Sequence, residues 1–153
     1  MIPALVLHTR WLLSSWMGGR SLGPLVMIRP EHRGDAALLA HELEHTRQWW
    51  WLAAPTCVLA LLLALLPGLA DWRPWCGALA ALGLVLQGIL YLLVPSYRRW
   101  SEVRAYRVNL ALADPADFER TLRFAAHALA HHYWLRLSED EARRLLLDQS
   151  RSR

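Results

Sequence analysis

The sequence predicts a mainly α protein in which a membrane-crossing helical hairpin is inserted into a small α+β domain that opens with an N-terminal β-hairpin. Three observations carry that expectation. Trp49 to Leu66 and Cys76 to Val94 contain no charged residue, and each is about the length a helix needs to cross a bilayer. Apolar and polar residues alternate at helical spacing on both sides of these runs, behind recognisable caps. The first 30 residues instead break into short apolar pieces separated by Gly and Pro. At 153 residues one domain is expected, spanning 1–153. Hydrophobic residues make up 55% and charged residues 20%, an apolar surplus suited to a chain partly in lipid.

In the N-terminal part, Ala4 to Leu7 and Trp11 to Leu13 fit either one strand or the start of a helix. Met17-Gly18-Gly19-Arg20 and Leu22-Gly23-Pro24 read as turns, and Leu25-Val26-Met27-Ile28 as a strand stopped by Pro30. Met1 to Arg10 lacks the ordered regions of a secretory signal. Asp35, after Gly34, is placed to cap a helix that starts near Ala36 and runs through His41, Glu42 and His45 toward Trp49, Trp50 and Trp51. Pro55 either kinks that helix or divides it from the first membrane helix. Pro67 to Trp75 reads as a short exposed turn, with Trp72 and Trp75 at one interface and Tyr97 and Trp100 at the other. Ser101 to Ala113 is helical in composition. Asp114-Pro115 reads as a helix restart leading into an amphipathic stretch from Ala116 to about Tyr133. Ser138 with Glu141 makes a capping box for a last helix to about Leu147, followed by a frayed tail from Gln149 to Arg153. Cys57 and Cys76 lack a redox spacing and read as small apolar side chains.

Charge sets an orientation. Arg47 precedes the first run, and Arg98, Arg99, Arg104 and Arg107 follow the second, whereas the turn holds only Arg73, offset by Asp71. The positive-inside rule therefore puts both long flanks and both termini in the cytoplasm. The expected location is the bacterial inner membrane, with the net charge of +4 facing anionic lipid. No nucleic-acid motif competes, and nucleic acid is not an expected partner. A hairpin this thin makes self-association as a homo-oligomer an open option.

The chemistry lies in His41-Glu42-Leu43-Glu44-His45. On a helix, His41 and His45 stand one turn apart on one face and can converge on a single ion. Glu42 projects beside them, where it can take a proton from the attacking water. Imidazole ligands with an activated water point to Zn²⁺. A third ligand is required, and Glu102 is the candidate. Two antiparallel spanning helices with a short outer turn must return the chain to the face it left, so Glu102 comes back beside His45. Glu44 is expected to be solvated or paired with Arg47 or Arg104. An oxyanion donor is also needed. Tyr106, one turn after Glu102, is one candidate, and His131 of the His127, His131, His132 group is another. Those three histidines fit an oxyanion donor, a second metal site or neither, and Tyr133 is a weaker candidate.

With His41, Glu42 and His45 on one helix and Glu102 with Ala105 on a later one, the chain resembles the gluzincin zinc metallopeptidases. More narrowly it looks like a minimal integral-membrane member akin to the CaaX-processing and heat-shock-type peptidases. The resemblance covers roughly residues 25–110. It implies a zincin-like catalytic domain, two histidine ligands, a glutamate ligand and Glu42 as general base. It also implies hydrolysis of peptides or membrane-protein segments, with substrate laid as an extended strand along a sheet edge at Leu25 to Ile28. The chain departs from the family at Tyr106, where an aspartate that orients the first histidine is usual. The competing readings are a non-catalytic membrane protein with a structural zinc and a zinc hydrolase acting on a non-peptide substrate.

Overall fold

The computed structural model describes residues 2–68 and 70–148; the tail expected from Gln149 lies outside them. The chain forms three short strands, β1 (Leu5–His8), β2 (Gly19–Leu22) and β3 (Leu25–Ile28). Five α-helices follow: α1 (Ala36–Leu65), α2 (Arg73–Leu93), α3 (Pro95–Leu112), α4 (Phe118–His131) and α5 (Glu139–Leu147).

The N-terminal sheet is larger than the expected hairpin. Its order is β1-β3-β2, with β1 parallel and β2 antiparallel to β3. Leu25–Ile28 is therefore the central strand, buried from Val26 to Ile28. It cannot be the open edge, because both of its sides are paired. The free edge beside the helices belongs to β2, formed by residues whose glycines read as a turn. A two-residue loop joins Leu22 to Leu25, and Gly23 at its first position has φ +63°, the positive φ such hairpins demand there. Gly19 is in the strand because it lies against a helix: a Cβ there would meet Glu42 Cγ and Oε1 at 3.0 Å.

Asp35 caps α1 by accepting a hydrogen bond from Leu38 N. The helix then runs unbroken for 30 residues, with Pro55 inside it. It is thus one continuous rod, neither divided at Pro55 nor restarted at the tryptophans. Pro55 has no N–H to give the Trp51 carbonyl one turn earlier, and the next residue, Thr56, donates its Oγ1 to Leu52 O. α2 returns antiparallel against α1. The pair is packed closely at Gly83, where a Cβ would stand 2.6 Å from Thr56 Cβ. Trp49 Nε1 donates to Leu84 O at 2.8 Å and Gln87 Nε2 to His45 O at 3.3 Å. Cys57 and Cys76 are free thiols.

Both hairpin helices are long and apolar enough to cross a membrane, and only 22% and 11% of their most apolar stretches are buried. A core helix of a soluble protein would be mostly covered. Here Leu59, Leu61, Leu62 and Leu65 on α1, and Leu82, Ile89 and Leu93 on α2, face outward. α2 stops at Leu93, and Pro95 begins α3 at once. Arg98, buried beneath this corner, donates to the Tyr91 and Leu92 carbonyls, satisfying the C-terminal acceptors of α2.

α3, α4 and α5 pack around a separate core of Val103, Tyr106, Leu110, Leu122, Ala125, Leu129, Ala142 and Leu146. The helix restart at Asp114-Pro115 falls later than expected. Asp114 O accepts from Asp117 N at 2.9 Å, closing a turn first, and α4 starts at Phe118. Ser138 and Glu141 form the capping box of α5.

Candidate metal centre

The site forms where α1, α2, α3 and the β2 edge meet. The N-terminal part of α1, ahead of its most apolar stretch, carries His41 and Glu42, both buried, and the partly buried His45 one turn after His41. The corner at Pro95 turns α3 back along α1, and Glu102 arrives at 2% exposure. His41 Nε2 lies 3.7 Å from Glu102 Oε2, and His45 Nε2 lies 3.6 Å from Glu102 Oε1. The three ligand atoms of His41, His45 and Glu102 stand within 4.8 Å of one another, so the group could hold a metal ion.

These separations suit a metal ion. Ligand atoms about 2.0–2.1 Å from a tetrahedral ion stand roughly 3.3–3.4 Å from each other. The observed spacings lie close to that edge and beyond an ordinary N–H···O bond. Glu102 Oε2 is moreover buried with no hydrogen-bond partner. A buried carboxylate oxygen left this way costs free energy on the order of 1–3 kcal/mol or more, and a cation between it and the two imidazoles removes that cost. The residues fit the ion.

A chain of hydrogen bonds behind His45 sets its protonation. Glu44 Oε1 accepts from Arg104 Nε at 3.0 Å and from Gln48 Nε2 at 3.2 Å. That contact, with a second from Gln48 Nε2 to Ser101 O, turns the Gln48 carbonyl oxygen toward Ser101, whose hydroxyl donates to it. The Ser101 hydroxyl has a single proton, so its oxygen accepts from His45 Nδ1 at 3.1 Å. In the neutral ring of His45 the proton therefore belongs on Nδ1, the tautomer whose Nε2 lone pair faces the site. Glu44, expected to be solvated or paired, is buried at 4% exposure and paired with both Arg47 and Arg104.

Electrostatics agree with these roles. Burial, aided by His45, holds His41 well below its ordinary pKa, so its ring stays neutral. Burial raises the Glu42 carboxyl to about 7; the Glu102 charge adds to the rise, while His45, the Ser21 backbone N–H and Arg20 oppose it. Glu102 is also raised by burial, opposed by His45, by the hydroxyls of Tyr91 and Tyr133 and by Arg98; the Tyr91 hydroxyl donates to its Oε1. Burial and the Glu102 charge push Tyr106 and Tyr133 upward, so both phenols keep their protons.

The site opens into a cavity of about 630 Å³. Its walls are the β2 edge from Gly18 to Pro24, the α2 residues Leu84, Val85, Gly88 and Leu92, and Trp16, His132 and Tyr133. Comparison with protein families, with characterised proteins and with solved structures finds no match to this chain. The assignment therefore rests on geometry.

His41, Glu42, His45, Glu102 and Tyr106 come together. Tyr106 sets its ring edge against His41, with centroids 4.6 Å apart, and its hydroxyl is engaged with that of Tyr133 at 3.0 Å. His131 is not brought to the cavity. It is exposed at the end of α4, paired with Glu139. It stands at the last turn of α4, where Glu139 at the start of α5 takes up its ring nitrogen. Sequence reasoning passed over Tyr91, Ser101 and Gln48 and ranked Tyr133 last. Tyr91 in an apolar run was the only one with a signal of its own.

Proposed function

We propose that this chain is a small integral-membrane zinc peptidase of the gluzincin type, with a zincin-like site facing the cytosol. The observation that carries the proposal is the buried triangle of His41 Nε2, His45 Nε2 and the Glu102 carboxylate, one oxygen of which has no other partner. Zinc at this position supplies Lewis acidity, polarising a scissile carbonyl and acidifying water near neutral pH. Among the described residues three side chains converge here and the fourth side opens on the cavity, which favours catalysis over a closed structural site.

The chain's own groups supply the rest. Glu42 contributes no ligand, and burial tunes it toward the pKa of a base that works near neutral pH. It takes a proton from the attacking water and returns it to the leaving nitrogen as the C–N bond breaks. Tyr133 is the assigned oxyanion donor, because its buried, protonated phenol lies on the cavity wall near Glu102. In the register Leu22↔Leu25, Ser21↔Val26, the backbone groups of Gly19 and Ser21 point away from β3. A substrate strand added to that edge passes directly beside Glu42.

In this reading the hairpin lies in the bacterial inner membrane with both flanks cytoplasmic, supported by the outward apolar faces of α1 and α2 and by the flanking Arg47, Arg98, Arg99, Arg104 and Arg107. Arg47 and Arg104 stack over Trp51, and Arg104 also over Trp100, an interfacial aromatic and basic belt. Substrates are peptides or the membrane-proximal segments of membrane proteins.

The test is metal content and hydrolysis of a mixed peptide library by the detergent-purified chain beside Glu42→Gln and Glu102→Gln. Glu42→Gln is expected to keep zinc and lose turnover, and Glu102→Gln to lose zinc affinity. Equal turnover in all three proteins removes the proposal.

A further inference from the structure

A second group of metal-binding side chains stands on the solvent face of the helical core, outside the cavity. His127 and His131 lie one turn apart on α4 with ring centroids 4.4 Å apart. Glu139, the first residue of α5, reaches across to both: its Oε1 is 2.8 Å from His127 Nδ1 and 3.1 Å from His131 Nε2. The three ligand atoms lie within 4.8 Å of one another, and all three residues are exposed.

The arrangement is built into the fold. Glu139 is held at the helix start by the Ser138 and Glu141 capping box. The two helices are locked together by Ala125, Leu129, Ala142 and Leu146, each buried, so the carboxylate is presented from a rigid element. Without an ion the Glu139 oxygen takes hydrogen bonds from the two imidazoles at 2.8 and 3.1 Å, shorter than the roughly 3.3 Å edge of a tetrahedral site, so a bound ion replaces these bonds and spreads the three groups apart. A cation therefore enters with side-chain shifts of a few tenths of an ångström.

We propose that His127, His131 and Glu139 form a second, solvent-exposed site for a borderline divalent metal such as Zn²⁺, Ni²⁺ or Cu²⁺. Two imidazoles and one carboxylate select these ions over Mg²⁺ and Ca²⁺, which prefer all-oxygen shells. Water completes the coordination. An ion here ties the last turn of α4 to α5. The next two residues, His132 and Tyr133, line the cavity, and His132 is stacked on Trp16 at 4.9 Å. Occupancy of the outer site thus restrains the segment that delivers Tyr133. The site does not depend on the inner triangle, and its fate is separable from that of the peptidase reading.

The experiment is equilibrium dialysis of the full chain in detergent against zinc alone, with metal analysis, for the native protein and His127→Ala/His131→Ala. Both histidines are exposed, so the variant is expected to fold, which circular dichroism checks. Two equivalents are expected for the native protein and one for the variant. One equivalent falling to none also supports the outer site, while showing the inner one empty. Equal stoichiometry in both proteins overturns the outer site, whatever the inner one holds. As a second readout, zinc is expected to raise the melting temperature of Glu102→Gln, and not that of the same protein carrying His127→Ala/His131→Ala. An equal rise in both also overturns it.

Discussion

Replacing Ser101 with alanine probes how the site is built without touching a ligand. Ser101 is fully buried and does two things at once: its oxygen accepts from His45 Nδ1 and its proton goes to the Gln48 carbonyl oxygen. Alanine removes both bonds and leaves two buried polar atoms unsatisfied. His45 is then free to turn or to move its proton to Nε2, which would block the lone pair that faces Glu102. Loss of such an outer partner weakens metal affinity by about 10–100-fold, equivalent to roughly 1.4–2.8 kcal/mol. The volume lost is one hydroxyl, so the fold is expected to survive. A chromophoric chelator competing for zinc in detergent measures the effect, in protein also carrying His127→Ala/His131→Ala to leave the inner site alone. An affinity for Ser101→Ala within about 2-fold of its parent refutes the tautomer argument.

Other expectations concern turnover. Tyr133→Phe is expected to lower kcat by about 10²–10³-fold with zinc affinity unchanged; steady-state kinetics and metal analysis on the same preparation check both. Gly19→Ala places a methyl 3.0 Å from the Glu42 side chain and 2.9 Å from Ile28 Cδ1. It should cut turnover at least about 10-fold, because a small misplacement of a catalytic group is costly, while zinc is retained. Chelation is expected to abolish hydrolysis and stoichiometric zinc to restore it. Glu44→Gln removes the charge that pairs with Arg47 and Arg104 and turns one of its two acceptor oxygens into a donor, and is expected to lower the melting temperature and weaken zinc binding through Gln48.

Much of this architecture was legible because it follows from periodicity and length. The two charge-free runs could only be long apolar helices, and their short connection obliged the chain to bring Glu102 back toward His45. The caps at Asp35 and Ser138 use local chemistry and fell where the sequence put them. The failures have physical causes. Gly18-Gly19 reads as a turn when glycine is judged by backbone freedom, yet Gly19 is needed because β2 runs against Glu42 and leaves no room for a Cβ. The parallel pairing of β1 with β3 has no local signal, so the substrate edge was assigned to the wrong strand. Ser101 and Gln48 became meaningful only once α1 and α3 were packed. His131 was drawn toward the site by its type, whereas the packing of α5 on the last turn of α4, invisible in the sequence, sets it beside Glu139 in solvent.

The central claim is that one ion sits between His41, His45 and Glu102. Zinc-edge X-ray absorption on the full chain carrying His127→Ala/His131→Ala tests it directly. The expected spectrum shows nitrogen and oxygen neighbours at about 2.0–2.1 Å with the outer-shell scattering of two imidazoles, lost together with tight binding in Glu102→Gln. Zinc bound without imidazole scattering, or held as tightly after Glu102→Gln, would contradict it.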